Sequence, residues 1–329
     1  MKRLALLLTL LALGGCFLHN DLVEGPPNTA SAEKCGECHP IEFDEWKGSG
    51  HAEAYKSEYF KQQTDHYKVE KCITCHTAAS TYKVKEVQSR GNHLEEGVNC
   101  ISCHLTDDGR LGGPHLVIPA HYTKMSDPYY LRSEMCGKCH VEHLQEWEKS
   151  LALQPAQKQE GFATCQDCHM PASKRKTITH ALFKLVHWEL NGKQHSFIDE
   201  VPKPKSEEEE EKSSWIKVQN SINRVHGDLQ VDLKISHSIP HSLPSGIFGF
   251  KAVTLVVAVK DVTGRSLSEQ TQTFYAEESH NIKPGETFKK RFTFPQEALL
   301  RAEYLEIRLQ RRKSRMDFGR VLHEEQHRL

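Results

Sequence analysis

Five copies of Cys-x-x-Cys-His fall within 135 residues: Cys35-Gly-Glu-Cys38-His39, Cys72-Ile-Thr-Cys75-His76, Cys100-Ile-Ser-Cys103-His104, Cys136-Gly-Lys-Cys139-His140 and Cys165-Gln-Asp-Cys168-His169. Two thiols at this spacing can add across the two vinyl groups of one porphyrin. The histidine that follows can swing under the ring to bind its iron, so each loop would hold one haem c at three points. Disulfides and zinc also use paired cysteines, but neither needs a histidine after every second cysteine. With 21 His in 329 residues, chance would place one after all five pairs about once in a million. The expected cofactors are therefore five covalently bound haem c groups, with the ten motif cysteines as attachment points and His39, His76, His104, His140 and His169 as proximal iron ligands.

The sixth coordination position decides what such irons can do: a second protein ligand suits electron transfer, whereas an open position permits catalysis. Apart from Met1, only Met125, Met135, Met170 and Met316 could supply sulfur, and Met170 follows His169 too closely to cross the same ring. Sixteen His lie outside the motifs, nine of them in the haem region, so bis-histidine, low-potential haems are expected. Any one of these is as readily a surface residue as a ligand, and local sequence must choose. His51 follows Trp46-Lys-Gly-Ser-Gly, where glycines let the chain turn back over a ring. His115 sits in Gly112-Gly-Pro-His, and His180 comes shortly after the fifth motif. His93 and His121 are possible distal ligands, and His66, His187 and His195 are less favoured. His143 shares a helix face with His140 and is expected to pack or hydrogen-bond locally. Towards the C-terminus, His237-Ser-Ile-Pro and His241-Ser-Leu-Pro form a doubled loop, which reads equally well as a ligand carrier or as a turn with incidental histidines.

The elements that must position these groups fall into two regions. Successive proximal histidines lie 37, 28, 36 and 29 residues apart, a density at which porphyrins must supply much of the core and the chain can form only short helices and irregular loops. An internal repeat runs through it: Cys35 to Ser49 matches Cys136 to Ser150 with an offset of 101, and each copy reads as a helix leaving its motif, with Trp46 or Trp147 on one face. Ala152 stands where the second copy would carry a counterpart of His51. Beyond Pro202-Lys-Pro204 and the run Glu207 to Glu211, the period becomes two: Leu229, Val231, Leu233 and Ile235 alternate with polar residues, and Val253 to Val259, Phe288 to Phe294 and Leu305 to Leu309 behave similarly. Thr263-Gly264 and Lys283-Pro-Gly285 supply turns. The fold class expected is a mainly α and irregular multihaem domain followed by an all-β sandwich of six or seven strands. The boundaries read 1–15 for a signal peptide, 16–31 for a tether, 32–200 for the haem domain, 201–214 for an acidic linker, 215–312 for the sandwich and 313–329 for a charged tail.

Ten of the eleven cysteines belong to the motifs, which leaves Cys16. Met1-Lys2-Arg3, an apolar stretch from Leu4 to Leu13 and Gly14-Gly15 precede it, which makes a signal peptide too short to span a bilayer. Leu13-Gly-Gly-Cys16 resembles a bacterial lipoprotein signal, with Cys16 as the lipidated first residue; a plain secretory signal is the alternative. Haem c attachment takes place outside the cytoplasm, which agrees with export and with a chain tethered to a membrane, facing the periplasm or the cell surface. A balance of 43 basic against 44 acidic residues gives no sign of a nucleic-acid partner.

Taken together, Trp46, Ser49 and His51 after the first motif, Glu96-Gly-Val-Asn-Cys100 with His115 downstream, and Cys165-Gln-Asp-Cys-His-Met-Pro171 with His180 resemble the multihaem cytochromes c related to the tetrahaem electron acceptor of hydroxylamine oxidoreductase. The resemblance spans about Cys35 to Leu309. It implies His51, His115 and His180 as distal ligands, and the His241-x-x-Pro244-Ser-Gly246 loop is similar to one in a β-domain appended to such chains, which adds His241. This chain departs from the pattern in carrying five motifs. Pentahaem nitrite reductases are similar around Met135 to Glu142, but they carry a lysine as proximal ligand at the catalytic haem, and no Cys-x-x-Cys-Lys occurs here.

Three functions remain. The first is a membrane-anchored carrier passing single electrons between redox proteins of the cell envelope, which needs no small-molecule substrate and no catalytic residue. The second is an oxidoreductase acting on nitrite, hydroxylamine or a sulfur compound at one open haem. In the third, the sandwich is a docking module that selects the redox partner.

Overall fold

The computed structural model describes residues 27–115, 126–153, 164–176, 178, 188–198, 215–246, 251–276, 280–312 and 319–329. The chain divides into two compact units, Met1–Cys139 with Phe162–Glu200, and His140–Gly161 with Val201–Leu329. The division falls inside the fourth motif, between its second cysteine and its histidine.

In the first unit the described helices are short: α1 (Ala32–Gly36), α2 (Pro40–Lys47), α3 (Glu58–Gln63), α4 (Glu70–His76), α5 (Cys100–His104), α6 (Ser133–Cys136) and, after α7 of the other unit, α8 (Cys165–His169). Helices of four to eight residues are not stable by propensity, so tertiary contacts and caps must hold them. Ser31 caps α1 by accepting from Lys34 N, and capping boxes of Asn99 with Ser102 and Thr164 with Asp167 start α5 and α8 directly at their first cysteines. The sequence does not announce an antiparallel pair, β1 (Ala172–Lys176) and β2 (Glu189–Lys193). Burial of apolar side chains is scattered over three small clusters: Tyr82, Tyr129, Tyr130 and Met135 beside Cys103; Ala30, Ile101 and Leu105; and Ala32, Trp46 and Ala52 beside Cys100.

The second unit contains α7 (Val141–Leu153) and seven strands. The repeat copies part here: α2 stops at Gly48, ahead of Ser49-Gly50, whereas Lys149 to Leu153 offer no glycine and α7 runs on. Strands β3 (Ile216–Val225), β4 (Asp228–His237) and β7 (Thr287–Phe294) form one sheet in that order. Strands β5 (Ala252–Lys260), β6 (Ser266–Tyr275), β8 (Tyr304–Arg312) and β9 (Arg320–Arg328) form the other, ordered β6-β5-β8-β9. All pairings are antiparallel. The β3–β4 hairpin closes on His226-Gly227, both at positive φ (52° and 94°), the geometry a two-residue hairpin requires. Along β4 the side chains of Leu229, Val231, Leu233 and Ile235 turn inward and, with Val253, Leu255, Val257 and Val259 of β5, join a continuous core.

The residues after 312 were expected to form a charged tail, yet Arg320–Arg328 pair with β8 as a full edge strand. Its charges explain how: Leu322, Glu325 and His327 face inward or sit half-buried, while Val321, Glu324, Gln326 and Arg328 are exposed. Charged side chains on an edge strand also block further pairing.

Candidate haem-binding site

Each Cys-x-x-Cys-His lies on or beside a single helical turn, so cysteines three residues apart share a face and the histidine falls next to them. All ten motif cysteines are half-buried, neither packed in a core nor free in solvent. The thiols of different motifs meet. The Cys35 thiol lies within interaction reach of Cys100, Cys136 of Cys165, and Cys139 of Cys75. Cys103 lies close enough to feel the charge state of both Cys136 and Cys139. The first motif thus touches the third, the third adjoins the fourth, and the fourth touches the second and the fifth. The neighbouring thiol and burial together push Cys100, Cys136 and Cys139 above the usual thiol value.

Three of the motif histidines are oriented in the same way. Nδ1 of His76 lies 2.5 Å from the Ala54 carbonyl oxygen, Nδ1 of His104 lies 2.6 Å from that of Gly112, and Nδ1 of His169 lies 2.6 Å from that of Ile198. When Nδ1–H donates to a carbonyl, the tautomer is fixed and the lone pair sits on Nε2, the arrangement of a histidine prepared for a metal. Burial lowers the pKa of His76 and His104, keeping both neutral as ligation demands. The Gly112 carbonyl reaches His104 because residue 112 has no side chain: a Cβ there would overlap the Tyr130 hydroxyl.

Opposite His104 stands His195, with ring centres 6.2 Å apart and planes 32° from parallel. At that separation both imidazoles could hold one metal ion, since each metal–nitrogen bond would be about 2 Å. Nδ1 of His195 is buried without a hydrogen-bond partner among the described residues, a state that costs about 1–3 kcal/mol unless another group satisfies it. Burial, then the charges of His104 and Arg175, push the His195 pKa down to about 4. A salt-bridge network fixes the residue: Glu45 accepts from His195 N at 2.8 Å and from Arg175 Nη1 and Nη2 at 2.5 and 2.9 Å, and Arg175 Nε also meets Glu42 at 3.1 Å. The donor set, the neutral imidazoles and the half-buried thiols fit haem c.

The other expected ligands are placed as follows. His51 is half-buried, its ring edge-on to Phe197 at 4.3 Å, and its carbonyl accepts from Val98 N. Trp46 Nε1 donates to the Val98 carbonyl at 2.8 Å, so helix α2 and His51 together clasp the segment entering the third motif. Gly97 beside it, at φ 63°, could carry no Cβ without overlapping the His51 carbonyl. His115 is half-buried at the end of the Gly112-Gly113 loop. His93 sits at φ 48° and forms a group with Glu95 and Glu96 in which His93 and Glu96 are half-buried and Glu95 is exposed. In the second unit, the ring of His241 lies 6.0 Å from His143, which is 5.6 Å from His140. Glu146 of α7 ties down the His241 loop by accepting from Ser242 N at 3.1 Å and Ser245 Oγ at 2.6 Å. His121, His180 and Cys16 lie outside the described residues. His195 was ranked low because no local signal links it to a motif 91 residues earlier; strand β2, which ends two residues before it, delivers it.

Residues 34–105, holding the first three motifs, match a family model described as Cytochrome c554 and c-prime. A penta-heme cytochrome c552 from Thermochromatium tepidum superposes with a TM-score of 0.62 at 16% identity, covering 93% of this chain and 100% of that one. At such identity the likeness is one of fold. A β-glucosidase 3B from Thermotoga neapolitana aligns over 34% of this chain and 15% of its own at 12% identity, with a TM-score of 0.19, too slight to carry an argument. No curated protein matches the chain.

Proposed function

Proceeding from a multihaem c-type cytochrome with covalently bound haem c, we propose that this chain carries five such haems and passes single electrons along them between redox proteins of the cell envelope. The observation that supports this most is the nearness of the five motifs to one another, with Cys35 beside Cys100, Cys103 near Cys136 and Cys139, Cys136 beside Cys165 and Cys139 beside Cys75. Haems attached there would stand close together, and closeness is what a carrier needs. Each motif supplies two thioether cysteines and a proximal histidine. The haem provides the redox couple, and the chain provides ligation, spacing and burial that set each potential.

In this reading His195 is the distal partner of His104, and His51, His115, His180 and His241 remain candidate distal ligands, with His93 and His121 behind them. A chain filled with axial imidazoles conducts and has no position for substrate. Cys16 would be lipidated and tether the protein outside the cytoplasm; among the described residues no helix is long and apolar enough to cross a membrane. An oxidoreductase of the hydroxylamine type is the partner class that the sequence resemblance suggests. Low-temperature EPR of the oxidised holoprotein tests the reading. Low-spin ferric signals accounting for every haem are expected, and a high-spin component that shifts on adding nitrite or hydroxylamine would support an enzyme in its place.

A further inference from the structure

The first unit holds two buried or nearly buried arginines whose charges are balanced very differently. Arg175 is met by the carboxylates of Glu42 and Glu45. Arg90, only 6% exposed, has no carboxylate within ion-pair distance among the described residues. Its Nε donates to Asn92 O at 3.1 Å, Nη1 to Ala78 O at 3.1 Å and Ser102 Oγ at 3.0 Å, and Nη2 to His93 O at 2.8 Å and Gly97 O at 2.6 Å. All five N–H donors of the guanidinium are thereby used. Glu96, close in the chain, spends its hydrogen bonds on Ala32 N and the Asn99 side chain, so its charge and that of Glu95 reach the guanidinium only from beyond contact and offset it in part. A haem propionate would find no N–H left to bond. The charge is permanent, since a guanidinium does not deprotonate in proteins.

Its position matters. Ala78 lies two residues beyond His76, the histidine of the second motif, and Ser102 lies between the two cysteines of the third. We propose that Arg90 is a potential-setting residue: a buried cation with no carboxylate in direct contact, which raises the midpoint potentials of the haems on the second and third motifs. Each step is the addition of one electron, taken from a donor, to ferric iron to give ferrous iron, with no bond made or broken. The reduced haem carries one unit less positive charge, so a cation fixed beside it favours reduction, and burial keeps that interaction from being screened. The proposal depends on haem attachment at these two motifs and not on any axial pairing.

Spectroelectrochemical titration of holoprotein variants, reduced with dithionite, tests it. Arg90→Met should lower the potential of one or two components and leave the others in place. A tenfold fall in the ratio of reduced to oxidised haem at fixed potential, about 59 mV for one electron, is the expected size. Arg90→Lys, which keeps the charge but loses part of the hydrogen-bond set, should titrate close to the unaltered protein. Arg90→Gln, which removes the charge but keeps an amide donor in place, should shift the same components and serves if Arg90→Met yields no holoprotein. Unshifted potentials in Arg90→Met or Arg90→Gln, or a shift as large in Arg90→Lys, would overturn the proposal and leave Arg90 a hydrogen-bonding staple. A haem count below five on the unaltered protein would instead fault the functional reading.

Discussion

Eighteen apolar residues are buried in one continuous cluster of the sandwich, from Ile216 to Leu309, whereas the described part of the first unit gathers its buried apolar side chains in groups of four, three and three. Two of those small groups lean on a motif cysteine, Cys103 or Cys100. Polypeptide alone therefore builds a core in one region and not in the other. The difference is one the proposed haems would make good: porphyrin faces would stand in for the aliphatic side chains that the described part of the first unit lacks, and attachment would be a condition of its folding.

The comparison breaks first, and with the largest effect, on protein made without haem attachment. Hydrogen exchange read by mass spectrometry should find the backbone of residues 27–139 and 164–198 nearly unprotected while β4, β5 and β8 stay protected; equal protection in both regions would mean that the first unit folds on polypeptide packing. Next in size is Leu255→Ala, which opens a cavity in the fully buried centre of β5. Denaturant unfolding of the sandwich should lose about 2–5 kcal/mol, with the haem spectrum of the native protein unaltered. Smaller and confined to one haem is His195→Ala. A single haem should turn from low-spin to high-spin and, when reduced, bind carbon monoxide, while no response at all would remove His195 as a ligand.

The smallest effect concerns the carboxylate that holds His195 in place. Burial would raise the pKa of Glu45, but the hydrogen bonds from Arg175 and from His195 N outweigh it and hold the carboxyl below its ordinary value. A depressed carboxylate stabilises the fold above its unfolded pKa of about 4.3, and the contribution disappears as the pH falls through the lower folded value. Partly exposed pairs of this kind contribute about 1 kcal/mol. Acid titration followed by the low-spin bands should therefore show a midpoint that moves to higher pH in Glu45→Gln.

How much of this was legible beforehand follows from where each signal lives. The attachment motifs are written locally, because two vinyl groups and one iron dictate a five-residue spacing. The sandwich is legible for a similar reason, since a strand with one buried face must alternate, as Leu229 to Ile235 does. Distal ligation carries no such local rule: His195 meets His104 through the folded chain, and only the strand β2 and the Glu45–Arg175 network bring it there. The hairpin at His226-Gly227 and the charged strand β9 were hidden for a different reason. One uses a histidine where turn residues are usually sought, and the other alternates in burial without an apolar face, with Glu325 and His327 half-buried and Val321 exposed.

The central claim, five haems stitched to five motifs, is tested most directly by peptide mapping of the purified, acid-denatured holoprotein by mass spectrometry. Each of the five Cys-x-x-Cys-His peptides should carry the mass of one haem through both cysteines. A motif peptide recovered with free thiols, or pigment released into acidified acetone, would contradict it.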